Sequence, residues 1–272
     1  MANSLRRVAD IPAHASWVTY LRCHDDIGWA ITDESAASMG WNGFSHRSFL
    51  NSFYSGAFLG SFARGAIFQF NAETGDGRIS GTAASLCGIE QALESGDSAD
   101  LDLACRRLEV CYAVVASFGG IPLLFMGDEL GMRNDPSYAD DGTLADDNRW
   151  LHRPRMNWDT AERRFGTASL EHRLFGMFRS LFADRAGTPA LHGSAGVRIV
   201  SMPSPSLFGF VRTHAVGGRF AMVANFGRES VVLDLSLVGL DGWRPVRASA
   251  LRLAEPEVAL EPMGYVWLTT ND

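Results

Sequence analysis

The residues best equipped for chemistry arrive together early in the chain. His24, Asp25 and Asp26 follow an apolar, β-rich run, Trp17-Val-Thr-Tyr-Leu21, and Gly28 breaks the pattern after them. This reads as a strand that ends by presenting an imidazole and two carboxylates, groups that bind charge and move protons. Adjacent strand residues point to opposite faces, so Asp25 and Asp26 cannot share one task while the strand stays regular. Two neighbouring carboxylates repel, and burial raises the pKa of either. The plainer reading is a solvated strand-to-loop turn in which Asp26 caps the next segment of chain. These residues alone leave both readings open.

Further polar groups come in a fixed order: Arg47, then Gln69-x-Asn71, Thr74-Gly-Asp-x-Arg78, Gly127-Asp-Glu129 and Asp146-Asp147-x-Arg149-Trp150. Each has an ordinary structural alternative. Arg78 reads equally as an exposed loop arginine. Arg149 reads equally as a partner of Asp146 or Asp147, in a surface pair that contributes little. Asp128 and Glu129 read as groups that cap and orient a loop, not as a catalytic pair. The four cysteines, Cys23, Cys87, Cys105 and Cys111, show no paired metal-ligand spacing. Cys105 and Cys111 fall in an apparently buried helix, as core thiols of a reducing compartment. No metal and no cofactor is expected.

The elements that must position these groups are built from 272 residues, 46% of them hydrophobic. That is enough for one large domain or two smaller ones. The net charge of -7 argues against nucleic acid or an anionic membrane as the main partner. No apolar run is long enough to span a bilayer, and no apolar h-region succeeds the first residues. A cytoplasmic location is therefore expected.

Taken in order, residues 1–16 read as a lead-in loop and 17–23 as the first strand. Residues 27–95 form a glycine- and aromatic-rich excursion, with helical patches at 46–56 and 82–93 around a loop-like core, Gln69–Arg78. It is too aromatic for disorder and long enough to be functional. From Asp100, Leu101, Ala104, Leu108, Cys111, Tyr112 and Val115 recur at helical spacing up to Gly119-Gly120. The run Ile121–Met126 then reads as a strand covered on both faces, which gives a βαβ unit with a parallel sheet. A polar loop over 130–166 leads to a helix at about 167–185, ended by Gly187 and Pro189. From about 196 strand-length segments succeed one another (197–202, 207–213, 219–225, 230–235, 243–249, 263–269) with turns between them, as in a small antiparallel β-sandwich.

On Tyr20–Trp29, Gly60–Gly65, Thr74–Ala83, Gly120–Glu129 and Asp146–Arg155, the sequence resembles the C-terminal half of glycoside hydrolase family 13, the α-amylase superfamily. Within it, Thr74-Gly-Asp-x-Arg78 and Asp146-Asp-x-Arg-Trp150 are most similar to the amylosucrases. The resemblance covers nearly the whole chain and is strongest in its first two-thirds. It implies an α/β plus all-β architecture. Residues 1–190 would be the C-terminal part of a (β/α)8 TIM barrel, holding its seventh and eighth βα units and the insertion 27–95. Residues 191–272 would be a β-sandwich domain. Sites on such barrels lie at the C-terminal ends of strands, where His24 and Asp25 fall.

The implied reaction is α-retaining glucosyl transfer from sucrose to an α-glucan acceptor, with release of fructose. The resemblance makes Asp25 the carboxylate that stabilises the transition state and His24 a hydrogen-bonding neighbour on the glucosyl ring. Asp26 and Arg78 would face the fructosyl or acceptor side. Arg149 would close the glucose pocket by pairing with an aspartate from an earlier part of the barrel. Arg47, Gln69 and Asn71 are weaker substrate-binding candidates. The family's nucleophile aspartate and acid/base glutamate both precede the His-Asp stretch. Only 23 residues precede His24. Arg7-Val-Ala-Asp10 does not match, and Arg252-Leu-Ala-Glu255 lies in the β-region. The expectation is therefore an incomplete, alone inactive enzyme half that a complementary N-terminal half would complete. Sucrose hydrolase, another glycosidase of the superfamily, and a non-catalytic sugar-binding remnant are the alternatives.

Overall fold

The computed structural model describes residues 2–8, 11–12, 14–254 and 256–270. Asp10 and Glu255 lie outside the described residues. Strands β1 (Val18–Thr19), β2 (Ile27–Gly28), β3 (Ala66–Asn71), β4 (Asp76–Ser80) and β5 (Ile121–Pro122) precede six strands of the C-terminal third. These are β6 (Gly196–Val200), β7 (Leu207–His214), β8 (Gly218–Asn225), β9 (Val231–Asp234), β10 (Arg244–Ala254) and β11 (Glu257–Thr269). The chain divides into two compact units. One comprises Leu21–Leu108 and Leu124–Gly176, the other Met1–Tyr20, Glu109–Leu123 and Met177–Asp272.

In the first unit the excursion is more regular than its sequence suggests. The expected loop-like core Gln69–Arg78 is a β-hairpin of β3 and β4, with β2 on the far side of β4, so the sheet order is β2-β4-β3. The missed signal is Asn71, whose Oδ1 accepts from the N–H groups of Glu73 (2.9 Å) and Thr74 (3.3 Å) and builds the turn. The helix expected at 46–56 runs over Gly43–Tyr54, capped by Asn42. The one expected at 82–93 is two helices, Ala83–Cys87 and Ile89–Ser95, because Gly88 between them adopts φ 97°. Ile79, Ala84, Ile89, Ala104 and Leu108 are buried around them.

In the second unit β1 and β5 pair in parallel, Val18 opposite Ile121. The order strand, excursion, helix, parallel strand therefore stands. Both strands are shorter than expected. The N–H groups of Ile121 and Leu123 donate to the carbonyls of Trp17 and Thr19 at 2.8 Å, so the nitrogen of Pro122 faces the opposite edge with no N–H to offer. Ile121 (59% exposed) and Leu123 (39%) are not covered on both faces. The helix between the strands, Ser98–Phe118, starts where Asp97 Oδ1 accepts from the N–H groups of Ala99 and Asp100. It ends at Gly119 and Gly120. The later helix, Leu170–Ala186, falls where one was expected and buries Leu174, Phe178 and Leu181.

The C-terminal strands were expected as a sandwich, and hydrogen bonding instead joins them in one antiparallel sheet of order β10-β11-β8-β7-β6, with β9 also on β11. Two long bent strands account for this. Residues 265–269 of β11 pair with β8, whereas 257–260 pair with β9. β10 accompanies β11 through both parts, with register shifts between Pro245 and Arg247 and between Ser249 and Leu251. Ala250 and Met263 take φ 50° and 59° at the bend. Strands that turn such corners fold a sheet over itself. The core accordingly gathers Val211, Val223 and Val266 from one limb and Leu233, Val258 and Leu260 from the other. Among the described residues, no helix is long and apolar enough to cross a membrane.

Candidate functional site

The expected chemistry collects in the first unit, on three pieces of backbone: the bend at residues 21–26, strand β4, and the polar loop that carries Asn148–His152. Hydrogen bonds fix the loop against the hairpin. Asn148 Nδ2 donates to the carbonyl of Ile67 (2.8 Å), and the Ser80 hydroxyl donates to Asn148 Oδ1 (2.9 Å). Asp147 caps the short helical turn Asn148–His152, accepting the N–H of Arg149 at 3.0 Å.

Under the bend lies a buried ion pair. Arg22 Nε meets Asp128 Oδ1 at 3.3 Å, and both side chains are 2% exposed. Arg22 also donates to the carbonyls of Cys23 and His152 and lies over the Phe125 ring. Asp128 thus ties two stretches of chain together. Glu129 does the capping, accepting the N–H of Gly127 at 2.9 Å.

His152 is a structural neighbour of the candidate site that sequence reasoning missed. It is fully buried. Its Nδ1 accepts the N–H of Gly81 at 3.1 Å, and its Nε2 stands 3.0 Å from the carbonyl of His24. A carbonyl only accepts, so Nε2 carries the proton and the ring is neutral. Burial pushes its pKa down to about 4. The carbonyl of His24 opposes this, and the charges of Arg22 and Arg153 add to it. Arg153 Nε donates to the same carbonyl at 2.7 Å. The backbone of His24 is therefore held from two sides while its ring remains exposed.

Asp25 stands at the surface of this frame. Its Oδ1 receives Arg149 Nη1 at 3.2 Å and faces Arg153 Nη2 at 3.5 Å, and its Oδ2 faces His24 Nε2 at 3.4 Å. Asp26 points elsewhere, although the two aspartates lie in a bend and not in a regular strand: its side chain is 6% exposed and lies 3.4 Å from Arg78 Nη1. The register sets this pair, since Gly28 of β2 opposes Arg78 of β4. Arg149 grips Asp147 with two parallel bonds of 2.8 Å and stacks over Phe68. That hydrogen bonding raises the Arg149 pKa and lowers that of Asp147. Arg149 is thus shared between a local acid and Asp25.

His24, Asp25, Asp26, Arg78 and Arg149 are brought together. Arg47 and Asn71 hold the backbone of the excursion, and Gln69 is exposed on it. Arg47 is 8% exposed, hydrogen-bonds the carbonyls of Ile31 and Thr74 and the Asp33 carboxylate (2.8 Å), and pairs with the Asp76 carboxylate at 2.8 Å. It lines a separate cleft with Trp29, Phe44 and Glu73. Gln69 is exposed at the β-bulge of β3 with φ 50°. Asn71 is spent on its turn.

One further grouping was not foreseen. A donor atom from each of Cys23, His24 and Asp25 lies within 4.8 Å of the others. Spacing rules that look for paired cysteines pass over three consecutive unlike donors.

No protein-family model matches the chain. A trehalose synthase of Thermus thermophilus is 23% identical over 160 residues, covering 52% of this chain and 16% of that protein. Among solved structures, the catalytic module of the multi-modular glycogen-degrading pneumococcal virulence factor SpuA, in complex with an inhibitor, gives a TM-score of 0.52 at 14% identity. It covers 71% of this chain and 35% of that one. The product complex of the multi-modular SpuA gives the same score over 25% of its length. The chain therefore spans a minor part of the proteins it matches. Over that part it shares the fold of the SpuA catalytic module.

Proposed function

We propose that this chain carries the supporting, sugar-binding side of an α-retaining glucosyl-transfer site of the amylosucrase type, with sucrose as donor and an α-glucan as acceptor. The observation that carries the reading is the presentation of Asp25. Its carboxylate is half exposed, and Arg149, Arg153 and His24 hold it on a backbone that Arg153 and His152 pin from behind. A carboxylate fixed in this way binds vicinal hydroxyls, and its contacts strengthen as positive charge develops on the sugar ring. Asp26 and Arg78 form a second polar edge, on which the fructosyl group or the acceptor would lie. The trehalose synthase relative supports a sugar substrate.

Retaining transfer needs two more carboxylates, a nucleophile and an acid/base, about 5–5.5 Å apart. Among the described residues of the site none is free for these roles. Asp26, Asp128 and Asp147 are committed to Arg78, Arg22 and Arg149. The two carboxylates would come from barrel strands that precede this stretch in the family.

The experiment measures glucose and fructose released from sucrose by the chain alone, then with a polypeptide supplying the first six βα units. The reading expects no turnover alone and turnover with the complement, abolished by Asp25→Asn. Turnover by the isolated chain, or a complemented activity indifferent to Asp25→Asn, overturns it. Hydrolysis in place of transfer would show as glucose release without glucan growth. Sugar binding without complemented turnover would favour a binding module.

A further inference from the structure

We propose that Cys23, His24 and Asp25 form a three-donor site for a thiophilic divalent cation, Zn2+ being the best match, and that this site shares Asp25 with the sugar. The sharing rests on the functional reading above; the metal site itself does not.

The donor set is one sulfur, one imidazole nitrogen and one carboxylate oxygen, all within 4.8 Å of one another. Sulfur together with nitrogen selects zinc-like ions over magnesium or calcium, which take oxygen donors. Bond lengths of about 2.0–2.3 Å put the ligand atoms of a tetrahedral zinc roughly 3.3–3.8 Å apart. His24 Nε2 and Asp25 Oδ2 already stand 3.4 Å apart. Three protein donors leave the fourth position to water, or to a hydroxyl brought by a ligand.

The surroundings favour the same end. Asp25 divides its oxygens: Oδ1 serves Arg149 and Arg153, while Oδ2 turns to His24. A cation can take Oδ2 without displacing either arginine. Arg22, Arg78 and Arg149 each have a carboxylate of their own in Asp128, Asp26 and Asp147, so the local positive charge is largely offset. The thiol lies half-buried at the base and the imidazole is exposed, which leaves an approach from solvent. The backbone of His24 is fixed at its carbonyl by His152 and Arg153, so binding has mainly to order the His24 ring. As the Zn–S bond forms, the thiol proton leaves to solvent, and nothing is oxidised or reduced. An ion so held sits against the carboxylate face that would otherwise meet sugar hydroxyls.

The test titrates the full chain with Co2+ as a spectroscopic probe and with Zn2+ by calorimetry. The proposal expects one ion per chain and a sulfur-to-cobalt charge-transfer band. Both are lost in Cys23→Ser and kept in Cys111→Ser, and Zn2+ affinity falls at least tenfold in His24→Gln. His24 is exposed, so that variant leaves the fold intact should Cys23→Ser not fold. The proposal is overturned if no band appears, if the band survives Cys23→Ser, or if His24→Gln binds Zn2+ unchanged. Sucrose added to the Zn2+ complex should weaken metal binding. A metal site indifferent to sucrose, with the variant effects intact, would count against the sugar reading and against sharing, while the metal site would stand.

Discussion

His152 donates its Nε2–H to the carbonyl of His24 while its Nδ1 accepts the N–H of Gly81. One buried imidazole thereby joins the polar loop, the end of β4 and the stretch that presents Asp25. Each ring nitrogen has a single permitted role, so protonation breaks the arrangement.

That relationship predicts how stability depends on pH. The folded pKa of about 4 lies below the ordinary 6.5. The unfolded chain therefore binds the proton first as pH falls, and the contribution of His152 is complete above about pH 6.5 and lost progressively towards pH 4. A shift of this size corresponds to roughly 3 kcal/mol. Urea unfolding at pH 7.5 and pH 5 should show the loss. In His152→Gln, which keeps a donor and an acceptor, the pH dependence across this window should shrink.

The Arg22–Asp128 pair predicts an asymmetry. Arg22→Met alone leaves a buried carboxylate unpaired and should cost about 3–5 kcal/mol, whereas Arg22→Met with Asp128→Leu should recover much of it. Denaturant midpoints of the two single variants and the double variant measure this. Equal loss in all three would refute the pairing.

Arg149 should separate binding from stability. Its pair with Asp147 is partly exposed, so Asp147→Ala should cost about 0.2–1 kcal/mol of stability. Arg149→Ala also removes the contact to Asp25. It should weaken sugar binding by calorimetry more than Asp147→Ala does.

Gly120 takes φ 75°, and a Cβ there would lie 2.1 Å from the carbonyl oxygen of Trp17. The close parallel pairing of β1 and β5 depends on that missing atom. Gly120→Ala should therefore destabilise by about 2 kcal/mol or more through strain and clash. Gly96→Ala is a control: φ is 72°, with nothing within 4 Å of the added atom, and it should cost less. A thermal shift series distinguishes them.

In the second unit Arg247 joins Glu109 (3.0 Å), Asp184 (2.7 Å) and the hydroxyl of Tyr265, tying β10 and β11 to two helices. Burial and the neighbouring Glu109 raise the tyrosine pKa far above its usual value. Arg247→Met strands two acids and should lower the melting temperature by more than Tyr265→Phe, which removes only a hydroxyl.

Local elements, and the candidate residues of the proposed site, were legible in one dimension. Helical spacing in Leu101–Val115, glycine stops at Gly119-Gly120 and strand-length runs after 196 are short-range signals, written by periodicity and backbone propensity. The order of motifs also pointed to His24, Asp25, Asp26, Arg78 and Arg149. The remaining features depend on contacts between residues far apart in the chain. That Asp26 faces Arg78 is a consequence of the β2–β4 register, and that His152 is buried under His24 is a consequence of how the polar loop packs. Arg47 and Asn71 were weaker substrate-binding candidates from their place in the motif order. Their hydrogen bonds go to backbone and acids of their own excursion, and a one-dimensional pattern does not record where a side chain ends.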